Sequence, residues 1–195
     1  MANSTDRGEI TRLLHAWQRG SEAAETELWP ILYDELRHLA RGVLHRQGKA
    51  GSPEGGPTSL VHKAYLRLLG SDVEWSDRQH FFAIAARAMR FVLTDEARRR
   101  LAQKRDARET LPLDGAVVET ADPLARRPDE VLAVHEALEK LAAIQPRHEK
   151  LVELRYFAGL SVEETAGILE VTPRTVVRDW RAVRIWLHGE LGATE

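Results

Sequence analysis

Apolar residues in this chain recur at intervals of three and four rather than two, in segments dominated by Ala, Leu, Glu and Arg. That spacing matches the 3.6-residue period of an α-helix, and each such stripe is buried by packing on another helix. The expected fold class is all-α, with no sheet. Helices are expected at residues 8–19, 22–46, 58–69, 77–104, 129–141, 146–157, 162–169 and 173–190. In the second, Leu28, Ile31, Leu32, Leu36, Leu39, Ala40 and Val43 draw one stripe, and Pro30 is either absorbed in its first turns or kinks it. The fourth is expected to open on a capping box of Ser76 with Gln79. Its apolar face, Phe81, Ile84, Ala85, Ala88 and Val92, gives way to basic turns, so its end should leave the core.

Two stretches break the pattern. GKAGSPEGGP, residues 48–57, is a breaker-rich loop. Residues 109–128 lose the period, hold three prolines and turn acidic, as a flexible linker does. The expected organisation is two small helical domains, residues 1–108 and 129–195, joined by linker 109–128. A chain of 195 residues is long enough for both.

With 43% hydrophobic and 30% charged residues, the composition is that of a soluble globular protein. The absence of cysteine excludes disulfides, thiolate metal sites and a Cys nucleophile, and fits a reducing compartment. No apolar run approaches a membrane span, and MANSTDRGEI lacks the layout of a signal peptide, so the expected location is cytoplasmic, with no membrane partner. The net charge of −2 hides a segregation: residues 87–108 hold eight Arg or Lys against three acids, and residues 172–188 hold four Arg against Asp179 alone. Positive faces of this kind inside an acidic chain point to nucleic acid.

The second positive stretch carries the more specific pattern. Gly159 can end one helix, Ser161 with Glu164 forms a capping box for the next, and Thr172 with Pro173 opens the last. About three residues separate these two helices, the spacing of a helix-turn-helix whose second member enters the major groove. Val176, Trp180, Val183 and Leu187 fall on one side of that helix, and Arg174, Arg178 and Arg181 on the other, with Thr175 between. Arg suits bidentate contact with guanine or phosphate, and residues early in such a helix reach base edges. Arg174, Thr175 and Arg178 are therefore the candidates for readout and Arg181 for phosphate, while Trp180 and Trp186 are expected to pack.

Two segments together extend the reading. LEVTPRTVVRDWRAVRIWLHGEL resembles the DNA-reading end of region four, and SLVHKAYLRLLGSDVEWSDRQHFFAIAARAMRFVLTDEARRRLAQKR resembles region two, of the extracytoplasmic-function (ECF) sigma factors. The resemblance implies a sigma region 2-like domain that docks on core RNA polymerase and opens the minus-ten element of promoter DNA, and a region 4-like domain that reads the minus-thirty-five element. It places polymerase docking on residues 58–69, with His62, Lys63 and Arg67 as candidates, although Lys63 stands where Glu is common. It places capture of the melted minus-ten strand on ARAMRFVLTDEARRR. There Arg87, Arg90, Arg98, Arg99 and Arg100 would track the backbone, and Trp75 and Phe91 would offer an aromatic face. Phe91 occupies a position where Asn is frequent. An anti-sigma factor, where one acts, would occlude one or both DNA faces.

Nothing points to an enzyme. HEKLV, from His148, lacks the second His of a zinc protease motif, and GSPEGGP lacks the Lys and hydroxyl of a phosphate-binding loop. Isolated histidines such as His38, His45 and His135 are expected at the surface or in caps. No catalytic residue, metal, cofactor or small-molecule substrate is assigned. The alternative reading is a helix-turn-helix transcription regulator with an N-terminal helical sensory domain, and a third is a helical adaptor for protein partners. Neither accounts for Arg98, Arg99 and Arg100 in a row.

Overall fold

The computed structural model describes residues 4–46, 56–69, 74–110 and 128–192. These residues form α1 (Ser4–Gln18), α2 (Glu22–Arg46), α3 (Pro57–Leu69), α4 (Arg78–Thr110), α5 (Pro128–Ile144), α6 (Pro146–Val152), a π turn (Glu153–Phe157), α7 (Val162–Ile168) and α8 (Pro173–Gly192). No strand occurs among them. Residues 111–127, the body of the expected linker, and residues 48–55 of the expected loop lie outside the described residues.

Local chemistry sets most helix starts. The Ser21 hydroxyl accepts the Ala24 N–H at the head of α2, and the helix runs through Pro30 with Leu28, Leu32, Leu36, Ala40, Val43 and Leu44 buried. Ile31, expected in that stripe, is exposed. α3 starts at Pro57, where proline's fixed φ suits a first turn. The start of α4 corrects the expected Ser76 and Gln79 box. The cap is Asp77, whose Oδ1 accepts the His80 N–H at 2.8 Å. Ser76 instead meets the His80 ring, and Gln79 Nε2 reaches across to Glu164 Oε1 at 3.2 Å. The carboxylate, one residue nearer the helix, is the stronger acceptor for an exposed N–H.

α4 is the axis of the molecule. It packs on α1, α2 and α3 on one side and on α5, the π turn and α7 on the other, and the buried residues of both sides form one continuous cluster. On the N-terminal side the centre is aromatic: Trp75 lies 5.3 Å from Trp17 and 5.3 Å from Phe81, ring centre to ring centre. On the other side Leu138, Leu141, Leu151 and Phe157 are buried. α2 reaches the same side, because Arg46 Nη2 donates to the Phe157 carbonyl at 2.7 Å and the Tyr156 hydroxyl donates to the Arg46 carbonyl at 3.3 Å. Burial along α4 extends to Ala97, and Ala102, Gln103 and Arg105 are exposed, so the basic end leaves the core as expected.

Candidate nucleic-acid interface

The helix-turn-helix is built by its caps. Ser161 Oγ accepts the Glu164 N–H at 3.1 Å while Glu164 Oε2 accepts the Ser161 N–H at 2.9 Å, the reciprocal arrangement that fixes the start of α7. Gly159, at φ +72°, takes the left-handed turn that leads into it. Thr172 Oγ1 accepts the Thr175 N–H at 3.2 Å, with Pro173 as the first residue of α8. Between the helices Glu170 sits at φ +53°, and the Val171 N–H closes the turn on the Ala166 carbonyl at 3.0 Å. A non-glycine residue in that region is strained by about 1–2 kcal/mol, so packing holds this turn tight.

α8 then divides as its sequence implies. Val176 and Val183 are buried and Trp180, Trp186 and Leu187 half-buried, whereas Arg174, Arg178 and Arg181 are exposed. Thr175 is half-buried, its hydroxyl 2.9 Å from that of Thr172. Asp179 departs from the pattern: it is buried on the inner face of α8. Its Oδ2 accepts from Arg147 Nη2 at 2.8 Å and lies 3.7 Å from His148 Nε2, and its Oδ1 accepts from Arg178 Nε and Nη2 at 3.0 and 2.9 Å. Burial alone would raise this carboxyl, but the Arg178 hydrogen bond and the charges of Arg147, Arg178 and His148 hold it below its ordinary value. Arg178 thus rests on Asp179 while its side chain stays 71% exposed.

The strand-capture candidates on α4 are split between surface and interior. Arg98 and Arg99 are exposed and Arg100 half-buried, with Arg98 3.5 Å from Asp95. Arg87 is exposed and 3.9 Å from Glu149. Arg90 is buried: Nε donates to Glu153 Oε1 at 2.7 Å, Nη1 lies 2.8 Å from His135 Nδ1, and Nη2 lies 3.5 Å from Glu149 Oε1. Half-buried Phe91 is faced by the guanidinium groups of Arg67, Arg87 and Arg90 at 5.0, 5.7 and 4.8 Å. Trp75 is a core residue, its Nε1 donating to the Leu14 carbonyl at 3.2 Å, so it presents no face to a base. His135, expected at the surface, is buried against Arg90 and the Phe91 ring, and burial, then the Arg90 charge, lower it below its ordinary value.

A family model described as ECF sigma factor matches residues 7–193, taking in both basic faces. The chain belongs to the ECF sigma factor family. As an ECF sigma factor it directs transcription initiation with RNA polymerase at promoter DNA, as an initiation factor rather than an enzyme. Comparison with the curated proteins finds no match.

On α3 of this sigma factor, His62 is exposed, but Lys63 and Arg67 are tied back to α4. Lys63 Nζ lies 2.7 Å from Glu96 Oε1, and Arg67 Nη1 lies 2.9 Å from Asp95 Oδ2. The basic residue at position 63 is thereby neutralised from the neighbouring helix. No described helix is long and apolar enough to cross a membrane, and no cluster of His, Asp or Glu fit for a metal ion occurs among the described residues. Sequence reasoning missed Asp179, Glu149 and Glu153. For the last two a signal existed, since acids four residues apart share one helix face with Phe157.

Proposed function

We propose that residues 1–108 of this sigma factor dock on core RNA polymerase and hold the melted minus-ten strand, and that residues 129–195 read the minus-thirty-five duplex. The observation that carries the reading is α8, which turns Arg174, Arg178 and Arg181 to solvent on one face while Val176 and Val183 seat its opposite face on the helices beneath it. Arg174, Thr175 and Arg178 contact base edges and Arg181 a phosphate. On the N-terminal side Arg87, Arg98, Arg99 and Arg100 follow the strand backbone with Phe91 as the aromatic surface, and His62, Lys63 and Arg67 belong to the docking helix. Trp75 and Arg90 are left out because both are buried. The factor works in the cytoplasm, and an anti-sigma partner would act by covering the α8 arginines.

The test is to combine the purified chain with core polymerase and transcribe a pool of genomic fragments. Discrete start sites that vanish without the chain are expected, and failure to co-elute with core enzyme at moderate salt overturns the proposal. Arg178→Ala should weaken a correct upstream element by about 1–3 kcal/mol and spare unrelated sequences. An equal loss on every sequence makes Arg178 a phosphate contact instead.

A further inference from the structure

The outer face of α8 carries a side chain that reading by arginines alone leaves unused. Of the two exposed large apolar side chains of α8, Val177 and Ile185, only Val177 lies in the N-terminal turns, and it is 40% exposed. The neighbouring Val176 is buried and seats the helix, so the packing of α8 does not call on Val177. At 3.6 residues per turn, Val177 lies about 60° around the helix from Arg174 and about 40° from Arg181, and about one turn along the axis from each. Both arginines are exposed, so the valine stands among the cations of the face that would meet a duplex. Thr175 falls on the other flank, its hydroxyl 2.9 Å from that of Thr172. A helix of this kind enters the major groove with its N-terminal turns. A valine side chain neither donates nor accepts a hydrogen bond and has no charge to offer a phosphate. The one apolar group that base pairs display in the major groove is the C5 methyl of thymine.

We infer that Val177 is a specificity-determining residue, which packs its methyl groups on the C5 methyl of one thymine in the upstream element, beside the bases that Arg174 and Arg178 contact. The inference rests on the reading of α8 as the helix that enters that duplex. The arginines draw α8 onto any phosphate backbone and favour guanine where their forks meet a base edge. Val177 adds selection of a different kind, for a T·A pair at a neighbouring position, and salt screens it far less than the charged contacts. The side chain is prepared for the contact. In a helix valine has one strongly preferred rotamer, so it loses little freedom when it meets a partner. The backbone beneath it is held as well, by the Thr172 cap on the Thr175 N–H and by the Val171 N–H closing the preceding turn on the Ala166 carbonyl.

The test uses holoenzyme assembled from core polymerase and the full chain, on a promoter recovered from the fragment pool. Each thymine of its upstream element is replaced in turn by deoxyuridine, which keeps every hydrogen-bonding group and lacks only the methyl. At one thymine, promoter binding by the wild-type holoenzyme should fall about fourfold, the worth of a methyl-sized group leaving an apolar contact. With Val177→Ala the same replacement should change binding by less than about twofold, because the contact is already gone. Alanine favours a helix more than valine does and position 177 is exposed, so this variant should melt no lower than wild type. Ile185→Ala, two turns further along α8, should keep the wild-type response to deoxyuridine. The inference is overturned if no thymine responds, if the response survives Val177→Ala and so reports DNA shape, or if Ile185→Ala abolishes it. Should Arg178→Ala still weaken the upstream element in those cases, the α8 reading stands and only the valine contact falls. If neither Arg174→Ala nor Arg178→Ala changes binding at that element, the α8 reading falls and takes the inference with it.

Discussion

Replacing Asp179 by Asn keeps the size of the side chain and removes its charge, which isolates what the buried carboxylate contributes. It holds Arg147 and Arg178 through hydrogen bonds of 2.8–3.0 Å and has His148 close by. Were all partners buried, losing one member of the cluster would cost about 3–5 kcal/mol. Here Arg147 is 48% and Arg178 71% exposed, so each regains water when released, and each pair is discounted to about 0.2–1 kcal/mol. The expected loss for Asp179→Asn is about 0.4–2 kcal/mol, a fall in Tm of roughly 1–8 °C for a chain of this size. Urea unfolding of the full chain measures it, and a double-mutant cycle with Arg147→Ala should return a coupling of about 0.5–1 kcal/mol. The same substitution frees Arg178, so binding of the upstream duplex should hold or improve while stability falls. A stability change below about 0.3 kcal/mol, or a loss of duplex binding as large as that of Arg178→Ala, would refute the reasoning.

Three further expectations follow from particular contacts. Trp75→Ala should destabilise the fold by about 3–5 kcal/mol, because it empties the space between Trp17 and Phe81 and leaves the Leu14 carbonyl without its donor. Corrected for folded fraction, its strand binding should equal that of wild type, and a selective binding loss would return Trp75 to the interface. At position 170 thermal melting should rank Gly above Glu and Glu above Val, with about 1 kcal/mol between neighbours, since φ +53° suits glycine and strains a β-branched residue most. For pH, Glu153 is raised on folding, so its contribution is full below 4.5 and lost as pH rises to about 7, whereas that of His135 is full above 6.5 and lost as pH falls through its lowered folded value. The two slopes oppose each other in the wild type. Across that window, stability should rise with pH in Glu153→Gln and fall in His135→Leu, as read from urea midpoints, and the reverse pair of slopes would overturn the assignment.

What could be read from the sequence was what neighbours along the chain decide. The Ser161 and Glu164 box, the Thr172 cap and the two faces of α8 depend on residues within one or two turns, and all were legible. The Ser76 and Gln79 pair matched the same template and failed, because Asp77 stood one residue closer with a stronger acceptor. Burial decided the rest. Trp75, Arg90 and His135 look like surface or site residues when only their sequence neighbours are considered, yet each is enclosed by helices distant in the chain. A residue that meets Glu153 from 63 positions away leaves no local trace.

The π turn after α6 has a bearing on how such a chain tolerates length changes. The Ala158 N–H reaches back five residues to the Glu153 carbonyl at 2.8 Å, so this segment carries one residue more than an α-helical turn would hold. The five residues wound this way turn and advance the chain about as much as four in an α-helix, so deleting one there would restore ordinary winding and leave the following chain close to its present direction. α8 is aimed from both sides of this turn, by α7 after it and by α5 and α6 before it. The spare residue is a length tolerance built in ahead of the reading head: one codon can be lost there with the α8 arginines still aimed as they are.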